Sequence, residues 1–243
     1  MTVFDDFEFY SRGELSLSSD EVHVWRAFFD QETSHFNELA QTLSEDERLK
    51  AKRFYFQKDR RRFVITHGIL RKMLGQYLNI EPNRLKFSYG SHGKPTLNGI
   101  PDGHLLCFNM SHSHDLALFA FTWGRRIGVD VEYVRSMPDI EEIAERFFSP
   151  RENAVFRTVP AGKKLEAFFN CWTRKEAFLK ASGDGLSRSL DSFEVSLAPG
   201  EPARLLSVEG NLQEASRWSL RALVSTPEYI GALAVEDSFI HLR

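Results

Sequence analysis

Apolar positions that recur every three or four residues mark two long helices. Phe63, His67, Leu70, Leu74 and Tyr77 fall on one stripe and predict a helix from about residue 59 to 79, with Arg60, Arg61 and Arg62 at its start. Leu165, Phe168, Phe169, Trp172 and Leu179 do the same from about 163 to 182, with Gly183 as the stop. Ser44-Glu-Asp-Glu47 and Ser149-Pro-Arg-Glu152 read as capping boxes, in which the hydroxyl and the glutamate satisfy orphan N–H groups at a helix start. Pro150 takes the first helical position, where its missing N–H costs nothing. A shorter helix carries Ile140, Ile143, Ala144 and Phe147. Alternation and short apolar runs predict strands over 105–110, 116–122 and 127–134, with 111–115 turning between the first two, a loop over 89–95 and further antiparallel strands in the tail up to Ala234.

Laid without a gap, 106–121 matches 220–235, with Ser111 on Ser225 and Ala120 on Ala234. Upstream of each stands an Arg-Phe-aromatic triplet (Arg53-Phe54-Tyr55, Arg146-Phe147-Phe148) and then a long helix. This predicts two related α+β halves, 1–123 and 124–243, joined near 122–126. A chance match of apolar patterns is the alternative.

The 243 residues suffice for one large domain or two small ones. With Lys plus Arg at 31 against Asp plus Glu at 34, the chain has no field to recruit nucleic acid or an anionic membrane, so any phosphate site must be built locally. Cys107 and Cys171 stand far apart and outside any C-x-x-C, which supports neither a disulfide framework nor a structural zinc site. An acidic amino terminus without signal-peptide pattern and the absence of an apolar run of about 20 residues point to a cytosolic protein with no membrane partner. P-loop, dinucleotide-binding, nucleophile-elbow and zincin motifs are all missing.

Within Gly128-Val-Asp-Val-Glu-Tyr133, strand geometry puts Asp130 and Glu132 on one face, with Cα atoms about 7 Å apart. Such a pair suits a hard cation, an exposed acidic face being the plainer reading. Glu176 falls near the centre of the second helix's apolar stripe, so a carboxylate faces the core and needs a cation, either a metal or a base such as Lys180. Lys175 and Lys180 flank that stripe, where they could pair phosphates. Helix capping already explains Glu152, while Lys94 reads as a solvated lysine, Ser111 and His112 as hairpin residues, His114 as partnerless and His67 as core.

Taken in order, Lys50-Ala-Lys-Arg-Phe-Tyr55, Gly93-Lys-Pro95, Phe108-Asn-Met-Ser-His-Ser113, Ile127-Gly-Val-Asp-Val-Glu132, Arg146-Phe-Phe-Ser149 through Glu152, Trp172-Thr-Arg-Lys-Glu-Ala-Phe-Leu-Lys180 and Gly185-Leu186 resemble the 4′-phosphopantetheinyl transferases of the surfactin-synthetase-activating (Sfp) type. The likeness runs from about 44 to 195. It implies an α+β fold of two similar, pseudo-twofold-related lobes, each an antiparallel sheet packed on a long helix, with the site in the cleft between them. The implied reaction moves the phosphopantetheine arm of coenzyme A onto a serine of an acyl or peptidyl carrier protein and releases adenosine 3′,5′-bisphosphate. The carriers could serve fatty acid, polyketide or nonribosomal peptide synthesis. By the same resemblance Asp130, Glu132 and Glu176 hold Mg²⁺ on the pyrophosphate. Lys50, Lys94, Ser111 and His112 meet the adenosine and 3′-phosphate end, and Lys175 and Lys180 the phosphates near the metal. Glu176, or a water it orients, is the first candidate for general base and Glu152 the second. Two similar halves in one chain make a monomer self-sufficient. Asp184, where the family usually has a base, and Glu47, where a relative can have one, are departures. A metal-dependent phosphohydrolase and an inactive carrier-binding module are the alternatives.

Overall fold

The computed structural model describes residues 2–4, 15–28, 35–90, 94–98, 105–226 and 228–236. Gly93 and most of the acidic amino-terminal segment lie outside them. The first half runs β1 (Thr2–Phe4), β2 (Val22–Phe28), α1 (Phe36–Thr42), α2 (Glu45–Lys52), α3 (Gln57–Leu78), β3 (Phe87–Tyr89), β4 (Pro95–Leu97), β5 (Leu106–Ser113) and β6 (Leu116–Trp123). The second runs β7 (Ile127–Tyr133), α4 (Ile140–Phe147), α5 (Pro150–Thr158), α6 (Lys164–Ser182), β8 (Phe193–Val195), β9 (Leu205–Val208), α7 (Leu212–Ala215), β10 (Trp218–Thr226) and β11 (Tyr229–Glu236). Each half has a principal sheet, ordered β1-β2-β6-β5 and β10-β11-β7, and a long helix, α3 or α6. All pairings are antiparallel except β1 with β2. The fold is α+β, with mainly antiparallel sheets and helices.

Both capping boxes form, with Ser44 and Ser149 accepting from the N–H of Glu47 and Glu152 and each glutamate returning to its cap's N–H. Gly183 ends α6 at φ 82°, a left-handed conformation that costs glycine little. The matched segments are both hairpins, but the fit is imperfect at their tips. β5 and β6 turn at His114-Asp115, whereas in β10 and β11 the turn comes one residue earlier than the ungapped match places it, with a bulge between Val224 and Thr226. β2 and α1 have no counterpart in the sequence reading. His23 and Arg26 break the apolar alternation of β2, and α1 is one short turn pair with only Leu39 buried.

β6 is buried along nearly its whole length because both its faces are covered. Ala117, Phe119 and Phe121 join the core under α3, while Leu116, Leu118 and Ala120 pack with Val129, Val131, Leu233 and Val235 of the second sheet. That explains an apolar run too dense for a half-solvated strand. β7 shares this second layer through Ile127, Val129 and Val131, which turns Gly128, Asp130 and Glu132 toward α6. The approach is close enough that a Cβ on Gly128 would lie 2.1 Å from the Ala177 carbonyl oxygen and 2.4 Å from Ala181 N.

Glu47, one of the two departures, is 4% exposed and ion-paired with Arg71, whose Nε lies 2.5 Å from Glu47 Oε2. Arg71 also donates to the Pro82 and Leu85 carbonyls. The glutamate is thus committed to joining α2 to α3.

Candidate active site

Asp130, Glu132, Glu176, Lys180 and Ser111 come together where β7, α6 and β5 meet. Lys180 Nζ donates to Asp130 Oδ1 at 2.7 Å, to Ser111 Oγ at 3.0 Å and to the Val129 carbonyl at 3.3 Å. The Ser111 hydroxyl donates to the same Asp130 oxygen at 2.9 Å, and Glu132 Oε2 accepts from Ser113 Oγ at 2.9 Å. Asp130 is 4% exposed, and its Oδ2 is buried without a hydrogen-bond partner. Burial, followed by the charge of Asp130, raises the carboxyls of both Glu132 and Glu176 above the ordinary range. The three acids therefore share one field, which Lys180 only partly offsets. Among the described residues no three such side chains already stand at the spacing of a metal cage. Even so, an orphaned carboxylate oxygen beside two more carboxylates is a donor set that suits a hard divalent cation.

Glu176 reaches this cluster by a different route from the one its apolar stripe implies. α6 is buried on most of its circumference, including Thr173, Arg174 and Lys175, and Trp172, Glu176 and Lys180 form its partly exposed strip. Glu176 lies on this partly exposed strip and not on a fully buried face. Successive positions i, i+4 and i+8 make that strip continuous along one side of the helix.

Lys175 and Glu152 require a correction. Lys175 Nζ makes a 2.7 Å ion pair with Glu152 Oε2 and donates to the Phe193 and Leu190 carbonyls at 2.6 and 2.7 Å. Glu152 also accepts from the backbone N–H of Ser149 and of Val195. Both side chains are 1% exposed, so Lys175 is not a phosphate contact in this structure and Glu152 is not placed as a base. Burial, more than the number of its bonds, keeps this ammonium away from any substrate phosphate.

Lys94 is not solvated either. Its ammonium donates to the carbonyls of Ile127, Lys180 and Ala181, tying the start of β4 to β7 and the last turn of α6, and burial pushes its pKa down to about 8. Ser111 and His112 belong to β5 and not to a turn, since pairing continues to Ser113 opposite Leu116. Ser111 is buried in the acid cluster, whereas His112 is exposed on the alternate face. Lys50 is exposed on α2 with Nζ 5.4 Å from the centre of the Phe63 ring, so its own contacts leave it open to an anion. His114 takes φ 51° in the hairpin turn and stacks on Tyr133 at 4.2 Å. Asp184 pairs with Arg188 through Nε at 2.6 Å.

His67 is half-buried on α3, stacked on Phe63 at 3.8 Å with Nδ1–H donating to the Phe63 carbonyl. Burial, and secondarily the charges of Lys50, His112 and Arg71, push its pKa from 6.5 down to about 3. The unfolded chain takes up this proton below pH 6.5 while the folded one refuses it down to about pH 3, so acidification through that window favours unfolding. Wild-type stability is expected to fall by up to roughly 1.4 kcal/mol per pH unit from this group alone. Urea unfolding at pH 7 and pH 5 checks this, with His67→Gln flattening the decline.

Sequence reasoning missed Asn109 and Ser113, both of which bond to β7. The signal was the period-two spacing of Asn109, Ser111 and Ser113, which assigns all three to one face of a strand.

Family models and relatives place the chain among known proteins. A family model for the 4′-phosphopantetheinyl transferase superfamily matches residues 126–234, and one for the 4′-phosphopantetheinyl transferase N-terminal region matches 27–123. The 4′-phosphopantetheinyl transferase HetI of Nostoc sp. is 48% identical over 91% of this chain and 90% of its own length. The 4′-phosphopantetheinyl transferase Sfp of Bacillus subtilis is 32% identical over 72% of this chain and 75% of its own. Among solved structures, Thermotoga maritima holo-[acyl-carrier-protein] synthase is similar at 26% identity and a TM-score of 0.34, covering 46% of this chain and 62% of its own. The chain belongs to the 4′-phosphopantetheinyl transferase family.

Proposed function

We propose that the chain transfers the phosphopantetheine arm of coenzyme A to a serine hydroxyl of an acyl or peptidyl carrier protein, releasing adenosine 3′,5′-bisphosphate. Membership of the family supports the reaction, and one observation supports the site. The unpartnered Asp130 Oδ2 lies in a cluster with Glu132, Glu176 and Lys180, beside the β5 segment that carries Ser111 and His112. Asp130, Glu132 and Glu176 are the residues that would hold Mg²⁺. When bound, the cation offsets charge on the transferring and departing phosphates.

The chain's own residues do the rest. Lys180, 29% exposed at its side chain, is the cation available to the phosphates, and it develops its full worth as charge accumulates on them. His112 and Lys50 offer donors to the nucleotide end of the substrate from the exposed faces of β5 and α2. Glu176, directly or through a water it orients, takes the proton of the carrier serine. Ser111 holds Asp130 from the other lobe, so the cleft is built by both halves. We assign those halves to 1–123 and 124–243, a division supported by family matches that stop at 123 and resume at 126. With both halves in one chain, a monomer supplies the whole cleft, and free thiols at Cys107 and Cys171 suit a cytosolic setting.

The test combines purified chain, coenzyme A, Mg²⁺ and an apo carrier protein, followed by intact-protein mass measurement. The carrier is expected to gain one phosphopantetheine. Breakdown of coenzyme A with an unmodified carrier would replace transfer by phosphohydrolysis, and carrier binding with no chemistry would leave only a docking module.

A further inference from the structure

β5 and β7 are outer strands of different sheets, and side chains join them where no backbone ladder does. Asn109 Oδ1 accepts the Val129 N–H at 3.0 Å, Ser111 Oγ donates to Asp130 Oδ1 at 2.9 Å and Ser113 Oγ donates to Glu132 Oε2 at 2.9 Å. Ser113 Oγ also accepts the Tyr133 N–H at 3.1 Å. Two N–H groups on the open edge of β7 are satisfied in this way, as an interior strand edge requires. Two acids of the cluster are gripped in the same stroke.

We propose that Ser113 is a positioning residue for the cleft: anchored by the Tyr133 N–H, its hydroxyl fixes the Glu132 carboxylate in the orientation that a divalent cation needs. A serine hydroxyl has one proton to give. Because the backbone N–H of Tyr133 takes up one of its lone pairs, the O–H is directed at Glu132 Oε2, and the second carboxylate oxygen of Glu132 stays available. Without the hydroxyl, Glu132 loses its one directional bond and has only the charges of Lys180 and Arg135 to hold it against Asp130, so its carboxylate turns away. Ser113 touches neither substrate nor cation. Its effect passes through Glu132, as the outer partners of metal-binding carboxylates commonly act. Ser111 cannot take over this duty, since its proton is committed to Asp130 and its oxygen receives Lys180.

The inference rests on Asp130, Glu132 and Glu176 being cation ligands, so its test begins with the cation. Mn²⁺ binding to the full chain in the presence of coenzyme A is followed by the paramagnetic resonance of free Mn²⁺, and transfer is measured against Mg²⁺ concentration. Ser113→Ala is expected to weaken Mn²⁺ binding about 10-fold and to raise the Mg²⁺ concentration for half-activation by the same factor. Transfer at saturating Mg²⁺ should match that of the unaltered chain. Ser113→Thr, which keeps the hydroxyl, restores both constants, and Ser113→Cys, a weaker donor of similar shape, falls between them. Unchanged Mn²⁺ affinity in the alanine variant, failure of threonine to restore it, or a loss of turnover that saturating Mg²⁺ does not recover would overturn the proposal alone. If the unaltered chain takes up no Mn²⁺ with coenzyme A present, the cation reading falls and carries this one with it.

Discussion

Glu176→Gln is expected to slow phosphopantetheine transfer by roughly 10²–10³-fold, the loss typical of removing one electrostatic contact that acts in the transition state. Its stability should not fall. Burial and the neighbouring Asp130 charge both work against an ionised Glu176 in the folded chain, so a neutral amide of the same shape removes repulsion and no hydrogen bond that the fold relies on. An intact-mass time course of carrier modification gives the rate, and a urea unfolding curve gives the stability. Turnover equal to that of the unaltered chain would strip Glu176 of both its base and its ligand roles. A rate loss accompanied by a matching drop in unfolding midpoint would make it a structural residue instead.

Lys175→Met carries the opposite signature. It leaves the Glu152 carboxyl 1% exposed and without its cation, and breaking a buried pair in this way costs about 3–5 kcal/mol. The N–H groups of Ser149 and Val195 still bond this side chain, which keeps the penalty near the lower end of that range. Adding Glu152→Gln to Lys175→Met is expected to recover much of the loss, since both charges are then gone. Urea unfolding of the two single variants and the double variant measures the coupling. Below the melting transition, transfer per folded molecule should stay close to that of the unaltered chain. A stable Lys175→Met protein with collapsed turnover would return Lys175 to the phosphates.

What the sequence made legible was whatever local chemistry decides. Gly183 had to end α6 because the left-handed residue after a helix favours glycine, and the serine-glutamate spacing at 44–47 and 149–152 is itself the capping geometry. Strand alternation alone placed Asp130 and Glu132 on one side of β7 with Val129 and Val131 on the other. The failures are of another kind. An apolar stripe identifies a buried face only when the opposite face is wet, and α6 is covered on nearly all sides, so its stripe put Glu176 in the core when it lies on the partly exposed strip with Trp172 and Lys180. The buried pairs Lys175 with Glu152 and Arg71 with Glu47 join residues more than twenty positions apart, a distance across which no spacing rule operates. Ser111, His112 and Ser113 looked like turn residues because Ser, His and Asp cluster at turns, but pairing with β6 holds them extended.

The burial of β6 on both its faces bears on how such a chain can be divided. Leu116, Leu118 and Ala120 have no water-facing role to fall back on, because their covering comes from β7 and β11. A fragment ending at Trp123 would carry a bare greasy stripe down its middle strand, and the complementary fragment would carry its mirror image. Each half thus completes the core of the other, and parting them would open both stripes to water.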